Sequence, residues 1–204
     1  MSSENVTSGD NQQETERTTL ELDPRWIVGF VDGEGCFSVS VHRNPHVRRT
    51  TWQLQASFQV YQHEASRAVL EDIALFFACG RIRPKGPKSS VLTYSVWNLG
   101  ELEEHILPVF ERYPLRVKGE DFRKFAEIVR SQRRKEHLQP DGFERIARLA
   151  YSMNANGKQR ARTIDEVLGG SSETVRQASF DLQGRTSKIQ SDPHGDMGSQ
   201  AEMT

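Results

Sequence analysis

Residues 27–35 read IVGFVDGEG, an apolar run that carries two glycines and ends in two acidic residues and a third glycine. As a helix, this run places Gly29 and Gly33 on one face, where a second backbone can approach closely. Asp32 and Glu34 then lie in the last turn, where the helix dipole disfavours carboxylates. Such conflicts with local preference are expected at functional sites. The alternative is a buried β-strand that ends in a polar turn, because periodicity alone does not separate the two for so short a run.

The predicted helix has signals at both of its ends. Asp23 suits the N-cap position and Pro24 suits the first helical position. Gly35 is expected to end the helix in the left-handed conformation. The aromatic residues Trp26 and Phe30 and the aliphatic residues Ile27 and Val31 are expected to make core contacts around the glycine face.

The length of 204 residues leaves room for one medium domain and two tails. No apolar stretch is long enough to span a membrane, and no signal segment begins the sequence, so we expect no membrane association and no secretion. The expected location is the cytoplasm of a bacterium or the matrix of an organelle. Cys36 and Cys79 are the only cysteines, and we expect buried free thiols in preference to a disulfide or a zinc site.

The overall net charge of −1 averages three unlike segments. Residues 24–162 hold 23 Lys and Arg against 15 Asp and Glu, whereas residues 1–23 hold 1 against 6 and residues 163–204 hold 3 against 7. A basic domain between acidic tails suits binding to a polyanion, because the local field governs the encounter with phosphates. We expect a folded domain at residues 24–168, with disordered tails at residues 1–23 and 169–204.

Beyond the glycine-rich run, the hydrophobic period changes to two, which predicts strands. The first strand covers residues 37–42 and the second covers residues 52–61, and the polar face of the second is rich in glutamine. Glutamine can pair with adenine edges in the major groove, although the same pattern also fits an ordinary polar sheet surface. A third strand carries three cations on one face, which suits phosphates and guanine edges. A fourth strand, residues 91–97, is expected to point its alternate apolar residues inward.

The remaining segments read as helices. Residues 64–78 are predicted to form a helix that Gly80 ends, with Ala68 among its inward residues. From residue 99 onward the chain is predicted to be helical, with breaks at Pro108 and Pro114. The predicted order is α-β-β-α-β-β-α-α, an α+β fold with one four-stranded antiparallel sheet. One face of the sheet would pack on helices, and the other would be free to lie along DNA.

Residues 27–35 resemble the LAGLIDADG motif of homing endonucleases, and the predicted order of elements agrees with the order in that family. The resemblance implies the α+β fold of these enzymes. It also implies a homodimer, because the motif occurs once in the sequence and each motif helix needs a partner helix. The predicted dimer interface comprises Gly29, Gly33 and Asp32.

The resemblance further implies catalytic and metal-binding residues. Glu34 matches the last acidic position of the motif, which binds Mg²⁺ in the family, and the Gly33 carbonyl commonly joins it. Gln62, placed after the second strand, matches a polar residue that orients solvent, although it also fits an ordinary loop surface. Lys118 matches a basic residue near the scissile phosphate, although it also fits an exposed lysine before a helix. Asp32 fits a structural role better than a metal ligand.

The predicted DNA contacts are polar side chains on the outer face of the sheet, with loop arginines and a basic segment as further candidates. The strand residues are Ser38, Ser40, His42, Arg43, Gln53, Gln55, Ser57, Gln59, Arg81, Arg83 and Lys85. The loop arginines are Arg48 and Arg49, and the basic segment covers residues 157–162.

These features predict a Mg²⁺-dependent endonuclease that cuts both strands of a long, partly palindromic double-stranded DNA site as a homodimer. One alternative is a DNA-binding regulator on the same fold that does not cleave. The other is an RNA maturase, whose RNA partner would contact the basic segment at residues 130–135. Replacing Glu34 with Gln would distinguish these functions, because only cleavage needs its carboxylate.

Overall fold

The computed structural model describes residues 22–43, 52–154 and 162–169. Its helices and strands follow the predicted order of an α+β fold. They are α1 (Pro24–Glu34), β1 (Gly35–Arg43), β2 (Trp52–His63), α2 (Arg67–Phe77), β3 (Arg81–Pro84), β4 (Val91–Val96), α3 (Leu99–Glu101), a π-helical turn (Leu102–Ile106), α4 (Leu107–Arg112), α5 (Gly119–Arg133) and α6 (Pro140–Tyr151). Short 3₁₀ turns precede α2 and α6.

The four strands form one antiparallel sheet in the order β1-β2-β4-β3. Because side chains alternate along a strand, each strand presents one set of residues to the helices and another to the opposite face. The helix-facing set is buried and includes Phe37 of β1, Phe58 of β2 and Tyr94 of β4. The opposite face carries the predicted glutamines and cations, so the prediction for the sheet is confirmed.

The core lies between the sheet and the helical layer. Phe37 and Phe58 stack at 5.2 Å, and Phe110 of α4 contacts both rings edge-on at 5.4 and 5.7 Å. Phe122 and Phe125 of α5 complete the cluster around Phe37. Aromatic pairs in these geometries contribute about 0.5–1.5 kcal/mol each beyond the burial of their area.

The helical alternative for residues 27–35 is the correct one. The Asp23 carboxylate accepts a hydrogen bond from the Arg25 N–H at 2.7 Å, as expected of an N-cap. The prediction for Gly35 is wrong in its reason. Gly35 is extended (φ −85°, ψ 161°) and begins β1 directly. A Cβ there would lie 2.6 Å from Val31 Cγ1, so this glycine is needed for room against the helix and not for a left-handed turn.

Three further predictions about the helices differ from the structure. The chain stays helical through Pro108, because a π-helical turn precedes it and the Leu107 N–H bonds to the Leu102 carbonyl. Helix α2 ends at Phe77 with Ala78 in the left-handed conformation, two residues before Gly80. Ala68 is exposed, since burial in α2 follows Leu70, Ile73 and Phe77 instead.

Several predictions lie outside the described residues. They concern Arg48 and Arg49, residues 157–161 of the basic segment, and nearly all of both acidic tails. Both cysteines are free thiols, as expected, but they are half-buried and not fully buried. Within the described residues, no helix is long and apolar enough to cross a bilayer.

Candidate active site

Helix α1 presents an uncovered face. Gly29 and Gly33 are exposed, and a Cβ added at either position would meet no atom within 4 Å. Trp26 and Phe30 lie on the same face by their spacing, and their rings stack at 4.8 Å. Trp26 is 43% exposed, so the expectation that it contacts the core is wrong, whereas Ile27 and Val31 are buried in the core and half-buried Phe30 packs against it, as expected.

Glu34 ends this helix with an exposed carboxylate. Within the described part of the chain, the carboxylate makes no hydrogen bond and no ion pair. The helix dipole places negative partial charge at the same end, so two sources of negative potential meet there. The end of α1 is therefore a favourable place for a cation.

The Asp32 carboxylate ties α1 to the segment that precedes α5. It accepts hydrogen bonds from the backbone N–H groups of Arg116 at 2.6 Å, Val117 at 3.2 Å and Lys118 at 3.0 Å. With its oxygens occupied in this way, Asp32 has the structural role that the sequence favoured over metal binding. Its predicted place in a dimer interface stays a prediction.

The Lys118 side chain makes a second connection between this segment and α1. Its Nζ donates to the carbonyl oxygens of Val31 and Gly33, each at 3.2 Å, and to the carbonyl of Asp32 between them. The carbonyls of Asp32 and Gly33 lie in the last turn, where helix carbonyls have no partner within the helix, and the Val31 carbonyl also accepts from the Gly35 N–H. The ammonium group thus lies beside the oxygen of Gly33, the residue that directly precedes Glu34. Lys118 is half-buried and is hydrogen-bonded through both its backbone N–H and its Nζ, unlike an exposed lysine before a helix.

Gln62 lies inside β2 and not after it, because the strand continues to His63. It pairs with Leu92, two residues beyond the pair between Val60 and Gly35. Strand β2 therefore extends past the start of β1 and along α1. Gln62 has the parity of buried Val60, which directs it to the helical side of the sheet and away from the outer face.

The outer face of the sheet holds a cleft of about 690 Å³. Gln59, Arg81, Arg83 and Lys85 of the predicted set line it. Across the strands, Gln59 and Arg81 flank Ser95, and Tyr61 and Arg83 flank Thr93, so glutamine and arginine side chains share rows.

The other predicted contact residues are distributed over β1 and the far half of β2. Ser40, His42, Arg43 and Gln53 are exposed, and Ser38 and Gln55 are half-buried. Ser57 is only 2% exposed, and its hydroxyl lies 2.8 Å from that of Ser38. This burial does not favour a direct contact of Ser57 with a base.

Sequence reasoning did not select two aromatic residues that line the cleft, Tyr61 and Trp97. Trp97 is 45% exposed. Tyr61 has the same parity in β2 as the glutamines, so the alternating pattern itself contained the signal. Burial is the main cause that raises the pKa of Tyr61, and the nearby Cys36 adds to it.

The donor set suits a hard divalent cation only in part. Carboxylate and carbonyl oxygens, as at Glu34 and Gly33, are the ligands that Mg²⁺ prefers. The described residues contain no group of three or more His, Cys, Asp or Glu side chains that could hold a metal ion. The site at the end of α1 therefore fits such an ion if further oxygens come from another molecule.

The arginine side chains of the basic segment at residues 130–135 form ion pairs within the chain. Arg130 pairs with Glu111 at 2.7 Å, Arg133 with Glu103 at 2.8 Å, and Arg134 with a carboxylate of the following 3₁₀ turn at 2.6 Å. Ser131 and Gln132 of the same segment are buried. This arrangement gives no support to a surface for RNA there.

Comparisons with known proteins agree with this architecture. A profile described as LAGLIDADG endonuclease matches residues 27–129. The homing endonuclease I-ApeII of Aeropyrum pernix is 28% identical over 147 residues, which cover 70% of this chain and 86% of that protein. A probable intron-encoded endonuclease of Neurospora crassa is 33% identical over 135 residues, which cover 65% of this chain but only 29% of that longer protein.

A solved structure shows the same fold. The archaeal intron-encoded homing endonuclease I-Vdi141I, complexed with DNA, superposes with a TM-score of 0.68 and 29% identity over 74% of this chain and 95% of that one. The motif helix, the four-stranded sheet and the matched range together lead to one conclusion. The chain belongs to the LAGLIDADG family of homing endonucleases, and it is of the single-motif type.

Proposed function

We propose that the chain is a site-specific DNA endonuclease that cleaves both strands of a long, partly palindromic site as a homodimer. The observation that carries the proposal is the uncovered glycine face of α1, which ends at the exposed Glu34 carboxylate. Two copies that pack through Gly29 and Gly33 would bring their Glu34 side chains together. Carboxylates held so close repel, and a bound cation relieves the repulsion.

The outer face of the sheet would bind the DNA. Its cleft combines cations, which neutralise phosphates, with amide side chains, which can contact base edges. In a homodimer the two sheets would bind two half-sites related by the dimer axis, which accounts for a partly palindromic target. I-Vdi141I was solved as a complex with DNA, which supports the same partner for this chain.

The residues around the end of α1 would share the work of hydrolysis. Divalent ions such as Mg²⁺ stabilise the attacking and leaving oxygens of a phosphodiester, and Glu34 with the Gly33 carbonyl would hold them. Lys118, already placed at the same helix end, would stabilise the charge that develops on the phosphate. Asp32 fixes the backbone of Lys118 and so sets its distance from Glu34. Gln62 would orient solvent from the neighbouring strand.

A selection for cleaved sequences from a random duplex library tests the proposal. The wild-type protein with Mg²⁺ should enrich one long, partly palindromic sequence, and a chelator should abolish the enrichment. The variant Glu34→Gln should bind the enriched duplex without cutting it. Glu144→Gln is the matched control, because its carboxylate pairs with Arg148 on the far helix α6 and should leave cleavage intact.

Two results would contradict the proposal. Cleavage by Glu34→Gln at the wild-type rate would remove Glu34 from the site. Binding of the duplex by the wild-type protein with no cleavage in Mg²⁺ would favour a DNA-binding regulator instead.

A further inference from the structure

One glutamine on the outer face of the sheet differs from the others in how its amide is held. The Tyr61 hydroxyl donates a hydrogen bond to Gln59 Oε1 at 2.7 Å. The two residues lie two positions apart in β2, on the same face, and both line the cleft. Within the described residues, Gln59 Nε2 has no hydrogen-bond partner. The amide of Gln59 therefore has both Nε2 donors free, while its oxygen already accepts one hydrogen bond.

The Tyr61 ring is itself held in place. Lys85 Nζ lies 5.0 Å from the ring centroid, a distance typical of a cation–π contact. The half-buried position raises the pKa of the Tyr61 hydroxyl, so this group stays protonated and keeps donating at neutral and mildly alkaline pH. The Tyr61 hydroxyl thus remains able to donate to Gln59 over this pH range.

The direction of this amide decides which base edge it can pair with. Pairing with adenine requires the amide oxygen to accept from N6 while the nitrogen donates to N7, so the oxygen must face the base. Guanine presents two acceptors, N7 and O6, and needs only the donors. Because the oxygen of Gln59 already accepts from Tyr61, pairing with adenine would require that oxygen to accept a second hydrogen bond or to give up the first, whereas pairing with guanine uses only the donors of Nε2.

We propose that Tyr61 is a specificity-determining residue that turns Gln59 toward guanine at one base pair in each half-site. Tyr61 acts by positioning Gln59, and this inference rests on the proposed function, in which the sheet face binds the DNA. Adenine should be bound about tenfold more weakly than guanine at that pair, since its N6–H must compete with the Tyr61 hydroxyl for the Gln59 oxygen.

The test is a comparison of base preferences in the cleavage-deficient Glu34→Gln background. Duplexes that each variant binds from a randomised library are sequenced, and the preference is read at every position. Gln59→Ala should flatten the preference at one base pair per half-site, which locates the contact. Tyr61→Phe keeps the ring and the Lys85 contact but removes the hydroxyl, and it should raise adenine relative to guanine about tenfold at that same pair.

Tyr113→Phe is the matched control, because Tyr113 lies at the end of α4, does not line the cleft and should leave every preference unchanged. The inference is overturned if Tyr61→Phe leaves the base preference at the Gln59 pair unchanged. It is also overturned if the base preferred there is not guanine. Both results presuppose an enriched sequence that the wild-type protein cuts. A library with no enriched sequence would instead contradict the proposed function, so the two failures are distinguishable.

Discussion

Replacing both Gly29 and Gly33 by alanine should stabilise the single chain and weaken its dimer at the same time. Within the chain, the added methyl groups meet no atom within 4 Å, so they cause no clash. Alanine is favoured over glycine in a helix interior by about 0.8–1.0 kcal/mol. Gly33 is one residue from the end of α1, where the gain is smaller, so we expect about 1–1.5 kcal/mol in total.

The effect on the dimer has the opposite sign. Each substitution adds a methyl group on both copies, at the place where the two helix backbones are proposed to be closest. Extra methyl groups in a close-packed contact cost about 1–3 kcal/mol. The dissociation constant of the dimer should therefore rise by about tenfold or more.

Sedimentation equilibrium measures the dimer, and urea unfolding well below the dissociation constant measures the single chain. Gly86→Ala is the matched control, because Gly86 lies between β3 and β4 and a Cβ there also meets no atom within 4 Å. It should leave the dimer intact. A double alanine variant that dimerises as tightly as the wild type would refute the idea that the two copies meet through the glycine face.

Three other predictions concern Lys118, Tyr94 and Gly80. Lys118→Met should lower the cleavage rate about 10²-fold while DNA binding persists, because a group that stabilises developing charge is lost; equal losses in binding and rate would contradict this role, and both are measured on the selected duplex. Burial raises the pKa of Tyr94 far above its ordinary value of 10.0, so the folded state keeps a proton that the unfolded state releases. The free energy of unfolding should therefore fall above about pH 10, by up to about 1.4 kcal/mol per pH unit, and urea unfolding should show a shallower fall for Tyr94→Phe. Gly80→Ala should destabilise the fold by about 2–4 kcal/mol, because φ is +78° and a Cβ would lie 2.8 Å from the Tyr94 ring; a thermal unfolding midpoint equal to the wild type would contradict this.

The order of elements was predictable because it depends on local patterns. Alternation in β1 and β2 follows from the pleat of a strand, and it assigned nearly every outer-face residue correctly. The helix at residues 24–34 carried its own cap at Asp23. Such signals are contained in a few neighbouring residues, so they survive without knowledge of the tertiary structure.

Two of the errors concern packing around α1. Gly35 looks like a helix stop, yet its need for glycine comes from the Val31 side chain that packs over it. Trp26 looks like a core residue, yet the core beside α1 is filled by Ile27 and Val31. In both cases the local preference is overruled by packing that the sequence pattern does not show.

The candidate site was predictable as a set of residues but not as an arrangement. Glu34, Gln62 and Lys118 came from the resemblance to the motif and its order. The hydrogen bonds that the Asp32 carboxylate accepts from the backbone N–H groups of Arg116, Val117 and Lys118 span more than 80 residues of sequence. No local pattern indicates such a contact.

The pairing of two Glu34 carboxylates around shared cations is tested most directly by counting bound Mn²⁺. The ions are measured by electron paramagnetic resonance on the protein bound to its selected duplex with uncleavable linkages. We expect Mn²⁺ to bind the wild-type complex, which contains two chains, and to be lost in Glu34→Gln while the two chains and the duplex stay together. Equal Mn²⁺ binding by both proteins, or a single chain on the duplex, would contradict the account.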